Sequence, residues 1–171
     1  NVPGLTGEAV ETLSVDTSAV APDVLLAPVL ARHGRRKPIA DQDLVSLWGH
    51  TVKFLLARSE VPPEPPRDWA QPVTLTCQCA DCRVLQVFAG DATKQVARFS
   101  IRKDRRQHIH GTIERYGLDM THVTDRSGSP QTLVCTKNRR TYERRVEEYR
   151  RDIGLLRTLE PLLANPSASE Q

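Results

Sequence analysis

Three of the four cysteines in this 171-residue chain lie within six residues, in the sequence TCQCADCR (76–83). Cys79 and Cys82 have the C-x-x-C spacing with which a tight turn presents two thiolates to one zinc ion, and Cys77 lies two residues earlier. A redox dithiol would need the motif at a strand-to-helix turn of a thioredoxin-like unit, which the downstream order of elements does not fit. Free thiols are the other alternative. Because cysteine spacing and chain length argue against a disulfide framework, the pattern favours structural zinc.

Three thiolates leave one position in a tetrahedral zinc shell. The candidates for it are the later histidines and the fourth cysteine: His108, His110, His122 and Cys135. If 104–117 is a helix, His108 and His110 lie about 200° apart around its axis, so only one of them reaches the metal. We favour His110, because it lies one turn before Ile113 and beside Gly111, which allows close approach. The other candidates remain open.

The sequence contains no motif that indicates catalysis. It has no HExxH, no His-x-Glu before a PCxxC, and no GxxxxGK[ST], GxGxxG or GxSxG. A single HxT tripeptide begins at His122, whereas two-histidine phosphoesterases need two. A catalytic zinc also needs an open coordination position and a nearby base. We therefore predict a closed structural site and no catalytic residue.

Apolar periodicity and turn residues predict an α+β fold. Helices are expected at 24–33, 39–59, 83–90, 104–117 and 139–164, and strands at 73–77, 96–103, 119–126 and 132–138. The four prolines of EVPPEPPRDW favour an extended spacer. The predicted organisation is a helical lead-in (1–59) from a preceding domain, a proline-rich spacer (60–72), a zinc-stabilised module (73–164) and a disordered tail (165–171).

Charge is distributed unevenly along the chain. The net charge is +3, yet residues 94–151 carry fifteen Lys and Arg against seven Asp and Glu. This asymmetry favours a polyanionic partner, nucleic acid first and an acidic protein surface second, although a solvated helix face would look similar. The predicted nucleic-acid-binding residues are Arg102, Arg105, Arg106, Lys137, Arg139, Arg140, Arg144 and Arg145.

Composition limits the cellular setting. The chain shows no secretory signal and no run of about 18 apolar residues, so we expect a soluble, intracellular protein with no membrane partner. It begins at Asn1 rather than Met, which is typical of a piece of a longer protein.

The run from FLLARSEVPPEPPRDW through TCQCADC and DRRQHIHGTIER to DMTHVTDRSGSPQTLVCTKNRRTYERR resembles a C-terminal segment of long bacterial and fungal proteins. Those proteins carry a 2-oxoglutarate/iron(II) dioxygenase domain of the prolyl-hydroxylase type nearer the N-terminus. The resemblance covers residues from about 50 to about 150. It implies an accessory module whose metal residues would be the three clustered cysteines and the His108/His110 pair. It brings no catalytic residue, since the facial triad of the oxygenase is not visible in this sequence.

The leading hypothesis is a non-catalytic, zinc-binding accessory module that docks nucleic acid through a basic face. The alternatives are a part of a dioxygenase, a metal-dependent hydrolase, and a protein–protein docking module.

Overall fold

The computed structural model describes residues 21–36 and 38–163. In this range the chain forms five α-helices, α1 (Ala27–Gly34), α2 (Gln42–Arg58), α3 (Ala80–Gly90), α4 (Lys103–Arg115) and α5 (Arg140–Leu159). One antiparallel sheet contains β1 (Val96–Ser100), β2 (Met120–Asp125) and β3 (Thr132–Lys137). The predicted α+β class is confirmed. The predicted tail at 165–171 and the first 20 residues of the lead-in lie outside the described residues.

Two short helical turns flank these elements: a π-helical turn (Pro22–Leu26) precedes α1, and a 3-10 turn (Glu160–Leu162) follows α5. None of the helices in the described ranges is both long enough and apolar enough to cross a membrane.

The chain divides into two compact units, each with its own apolar core. Within the described ranges, the first unit comprises residues 21–63 and 145–163, and the second comprises residues 64–144. The division after Pro63 falls within the proline-rich run at 60–72. The predicted module at 73–164 differs from the second unit, which ends at Arg144, because most of α5 belongs to the first unit.

The first unit is helical. Its α2 begins where the side chain of Asp41 accepts hydrogen bonds from the backbone N–H groups of Asp43 and Leu44, which satisfies two donors that a helix start leaves free. Its core consists of buried aliphatic side chains, among them Leu30, Leu47, Leu55, Leu159 and Leu162. Burial of these side chains holds α1, α2 and the end of α5 together.

The second unit packs two helices against one face of the sheet. The strand order is β1-β3-β2, so β3 is central, and His122 of β2 lies directly opposite Cys135 of β3. Side chains from α3, α4 and the covered sheet face form one core that includes Leu85, Phe88, Phe99, Ile109 and Leu133. This core positions the start of α3 beside the middle of α4.

The segment before α3 differs from its prediction. Residues 73–77 were expected to form a strand, but they pair with no strand of the described sheet. The backbone N–H of Leu75 donates to Oε1 of Gln86 (2.8 Å), and that of Thr76 donates to the hydroxyl of Tyr116 (2.9 Å). Side chains thus replace the ladder partners that a strand would use.

The predicted end of the 104–117 helix is confirmed, whereas its predicted start is not. Gly117 has a φ of 58°, a left-handed conformation that glycine adopts without a steric penalty, and it follows the last helical residues. Asp104 was expected to cap the start of this helix. The N-cap is Arg102, whose side chain makes no capping hydrogen bond, and Asp104 lies in the first turn.

A buried ion pair in the first unit provides a test of its packing. Arg58 donates to both carboxylate oxygens of fully buried Asp152 and also pairs with Asp23 at 2.9 Å. We expect Asp152→Ala to lower the free energy of unfolding of this unit by about 2 kcal/mol, less than for a fully buried pair because Arg58 is partly solvated. Urea titration followed by the amide signals of α2 measures this.

Glu147→Ala, on an exposed position of the same helix, is the matched control and should change the free energy by less than about 0.5 kcal/mol. Equal effects of the two substitutions would contradict a stabilising role for the Arg58–Asp152 pair.

Candidate metal centre

Four side chains of the second unit bring their metal-binding atoms to one place. The sulfur atoms of Cys77, Cys79 and Cys82 and a ring nitrogen of His108 all lie within 4.8 Å of one another. The Nε2 of His108 is 3.4 Å from the sulfur of Cys77 and 3.1 Å from that of Cys82. In a tetrahedral zinc site, neighbouring ligand atoms are about 3.5–3.8 Å apart, as follows from Zn–S of about 2.3 Å and Zn–N of about 2.0 Å. The cluster therefore has close to the dimensions of a metal shell.

The cysteine turn is the N-terminus of α3. Cys79 is the N-cap residue, with φ −65° and ψ 159°, and its sulfur accepts the backbone N–H of Cys82 at 3.4 Å. Because Cys82 lies in the first turn of the helix, this geometry points both sulfurs to the same side. The C-x-x-C spacing thus brings two thiols together as predicted, although the helix begins at Ala80 rather than at the expected residue 83.

Cys77 reaches the cluster from the extended segment that precedes the turn. The hydrogen bonds of Leu75 and Thr76 fix this segment against α3 and against Tyr116. A further bond from Nε2 of Gln78 to the carbonyl oxygen of Leu75 (3.1 Å) closes the bend between them. Three independent anchors therefore place the third thiol.

The fourth member of the cluster is His108, not the predicted His110. The two residues lie on different sides of α4, as the helical rotation requires. The side of α4 that faces the start of α3 carries His108, while His110 faces β2, where its Nδ1 contacts Nδ1 of His122. The prediction of His110 is corrected for this reason.

The two remaining candidates for the fourth ligand lie on the sheet. His122 pairs with His110 in a T-shaped arrangement, with ring centroids 4.5 Å apart. Cys135 is fully buried in the core, and burial raises the pKa of its thiol to about 12. Neither residue belongs to the cluster around His108.

The surroundings of Cys79 and Cys82 shift the pKa values of their thiols in opposite directions. The backbone N–H of Cys82 lowers the pKa of exposed Cys79 from 9.0 to about 7. Burial is the main cause that raises the pKa of Cys82 to about 12. Metal-bound cysteines are thiolates, so a bound cation must overcome this burial at Cys82. The hydroxyl of Thr112 lies 3.9 Å from the Cys82 sulfur.

An ion pair beside the cluster joins the same two helices. Arg105 of α4 donates to both carboxylate oxygens of Asp81 of α3, each at 2.6 Å. Asp81 lies between Cys79 and Cys82 in the sequence, and Arg105 lies one turn before His108. Arg105 was expected to bind nucleic acid, and its pairing with Asp81 was not visible in the sequence because the two residues are 24 positions apart.

The structure removes two further residues from the predicted basic face. Lys137 is fully buried, and its ammonium group donates to the carbonyl oxygen of Asp91 (2.6 Å) and lies 4.6 Å from the centroid of the Phe88 ring. Burial lowers the pKa of Lys137. Arg106 is only 8% exposed and donates to the carbonyl oxygen of Ile101 at 2.6 Å. Lys137 is therefore not available to nucleic acid, which corrects that prediction, and Arg106 lies beneath the surface rather than on an exposed basic face.

The other predicted basic residues remain accessible to different degrees. Arg139 is half-buried, with its guanidinium carbon 4.7 Å from the centroid of the Trp69 ring. Five of the predicted residues are exposed, namely Arg102, Arg105, Arg140, Arg144 and Arg145, although Arg105 is paired with Asp81.

No protein-family model, no curated protein and no solved structure matches this chain. The resemblance to a dioxygenase-associated segment consequently stays a prediction.

The thiol environments predict an order of reactivity. In the zinc-free protein, we expect the alkylation rate of Cys79 by iodoacetamide to rise between about pH 6 and pH 8 and then level off. The reason is that its lowered pKa, about 7, makes the thiolate predominant above that pH. Cys135, which is buried and has a pKa raised to about 12, should react far more slowly. Peptide mapping by mass spectrometry measures both rates, and a Cys79 rate that keeps rising to pH 9.0 would contradict the lowered pKa.

Proposed function

We propose that residues 64–144 are a zinc-stabilised, non-catalytic binding module in which Zn²⁺ is held by Cys77, Cys79, Cys82 and His108. The observation that carries this proposal is the convergence of four ligand atoms within 4.8 Å. Three thiolates and one imidazole are a donor set that zinc favours.

The donor set argues for a structural role of the metal. Four protein ligands fill a tetrahedral shell and leave no position for water or substrate, whereas catalytic zinc sites keep one position open. A redox dithiol uses two thiols, and the third thiol and the imidazole at this site have no part in that chemistry. The zinc would join the start of α3 to the middle of α4.

The partner that we propose is nucleic acid. Residues 64–144 carry fourteen Lys and Arg against nine Asp and Glu, a net charge of +5. Exposed arginines within this unit include Arg102, Arg140 and Arg144. Such charges bind phosphates and release counterions, without any need for sequence readout. Following the resemblance described above, the module would be an accessory part of a larger protein with a dioxygenase domain.

Zinc content tests the metal site directly. We expect about one equivalent of zinc in the purified 171-residue chain, and less than about half an equivalent in His108→Ala, because that variant lacks the fourth ligand. His110→Ala is the matched control, since it removes an imidazole two residues away that faces β2, and Cys135→Ser is the matched thiol control. Both controls should retain zinc, as measured by plasma mass spectrometry.

Zinc loss from His110→Ala together with zinc retention in His108→Ala would overturn the ligand assignment. Less than about half an equivalent in the unmodified chain would overturn the zinc proposal itself.

Salt dependence tests the proposed partner. We expect single- or double-stranded probes of about 20 nucleotides to bind at about 50 mM salt, with affinity falling linearly on logarithmic axes as salt rises. Arg140→Gln/Arg144→Gln should reduce that slope by about 1–2, since each phosphate contact contributes somewhat less than one unit. Arg32→Gln/Arg36→Gln, two exposed arginines of the first unit, is the control of equal charge. Fluorescence anisotropy gives the slopes, and an absence of binding to every probe at low salt would contradict nucleic-acid docking.

A further inference from the structure

A polar cavity of about 420 Å³ lies in the second unit, separate from the cysteine cluster. Its lining includes Lys103, Arg106, Gln107 and His110 of α4, with Arg126 and Gln131 of the loop between β2 and β3. The four residues of α4 recur at three- and four-residue steps, so they form one stripe on the side of the helix that faces β2. His108 and the metal cluster lie elsewhere on the same helix.

The cavity is strongly cationic. Three of its lining residues carry a positive charge, and no aspartate or glutamate of residues 64–144 is among the lining residues. Neither Lys103 nor Arg126 takes part in an ion pair within the described residues. The two acidic residues adjacent in sequence pair elsewhere: Asp104 with Arg102 at 3.7 Å, and Asp125 with Arg98 at 2.8 Å on the opposite face of the sheet. The positive charge is therefore not neutralised by the protein.

Arg106 provides the observation that points to a ligand. It is 92% buried, since its exposed fraction is 8%, and its acceptors are uncharged: the carbonyl oxygens of Ile101 and Gln131 and the side-chain Oε1 of Gln131. A guanidinium has five N–H groups, so at least two are left over. A buried charge without a counter-ion is costly, and an anion in the cavity would remove that cost.

A neutral side-chain donor and the positive end of a helix dipole adjoin the same space. Because Oε1 of Gln131 accepts from Arg106, the amide nitrogen of this side chain is left to donate to another acceptor. Lys103 is the first residue of α4, so the cavity also adjoins the positive end of a 13-residue helix dipole. Several donors that line one cavity match the several acceptor oxygens of a phosphate better than the two of a carboxylate.

We propose that this cavity binds a phosphate group. No tryptophan, tyrosine or phenylalanine of the described chain lines the cavity, so no base would stack there, and recognition would depend on the phosphate alone. The phosphate comes either from a nucleic acid, in which case the inference rests on the proposed function, or from a free nucleotide, in which case it does not.

The test is a titration of the isotope-labelled, zinc-loaded chain with inorganic phosphate, followed by amide chemical shifts. We expect saturable shifts at α4 residues 103–110 and at the 126–131 loop, with sodium chloride of matched ionic strength producing none. Lys103→Gln/Arg126→Gln should weaken binding at least about tenfold, since each removes a charged donor. Both side chains are exposed, so the fold should be retained, which the remaining amide signals report.

The matched control is Lys94→Gln/Arg115→Gln, which removes the same two charges from exposed positions that do not line the cavity. It should bind phosphate as the unmodified chain does. No saturable shift in the unmodified chain, or equal weakening by both double substitutions, would overturn the proposal.

A second series of titrations identifies the source of the phosphate. Adenosine 5′-monophosphate, a 5′-phosphorylated oligonucleotide and the same oligonucleotide with a 5′-hydroxyl are compared. Tighter binding of the nucleotide assigns a free ligand, and cavity shifts with either oligonucleotide assign nucleic acid. If oligonucleotides bind without any shift at the cavity, the phosphate proposal fails while nucleic-acid docking stands.

Discussion

The organisation of the second unit depends on the meeting of two helices at one point. The N-terminus of α3 carries Cys79 and Cys82, and the middle of α4 carries His108, so the cluster exists only if these helices keep their positions within less than an ångström. The apolar core beneath them and the Asp81–Arg105 pair beside them both restrain that position. A zinc ion would add a third restraint. These restraints act on the same pair of helices, which makes α3 and α4 the most strongly constrained part of the unit.

Two candidate binding sites, the metal cluster and the cationic cavity, lie on different sides of α4. Residues 108 and 110 are two positions apart, which places their side chains about 200° apart around the helix. His108 therefore meets three sulfurs, and His110 meets His122 and the cationic cavity. Burial, together with the charge of His122, lowers the pKa of His110, which favours the neutral imidazole. An imidazole that bound an anion through its own positive charge would need a raised pKa instead. The positive charge of the cavity consequently comes from lysine and arginine rather than from histidine.

The parts of the structure that local patterns determine were predictable from the sequence. The C-x-x-C turn, the hairpin and the helix that ends before Gly117 depend on residues close in sequence, and the structure confirms them. The choice between His108 and His110 was not predictable, because it depends on which side of α4 meets α3. The same is true of residues 73–77, whose backbone partners, Gln86 and Tyr116, lie further along the chain. The apolar stripe of α5 is continuous, so its pattern gave no sign that the boundary between the two units falls within this helix.

The number of Lys and Arg residues in the sequence predicted the exposed basic surface poorly, and the reason is physical. A count of Lys and Arg treats each as a surface charge, whereas both side chains have long apolar stems and heads that hydrogen-bond well to backbone carbonyls. Lys137 alternates inward with Leu133 and Cys135 on central β3, so its position in the strand, rather than its chemistry, places it inside. That period was visible in the sequence and outweighs the preference of lysine for water. Arg106 is also buried because of its position, since it lies on the stripe of α4 that faces β2. Unlike a fully bonded side chain, it has guanidinium N–H donors left over. The distinction matters for function: the ammonium of Lys137 contacts a carbonyl oxygen and the Phe88 ring and supports the fold. Arg106 instead lines a cavity with N–H donors left over, which favours a binding site.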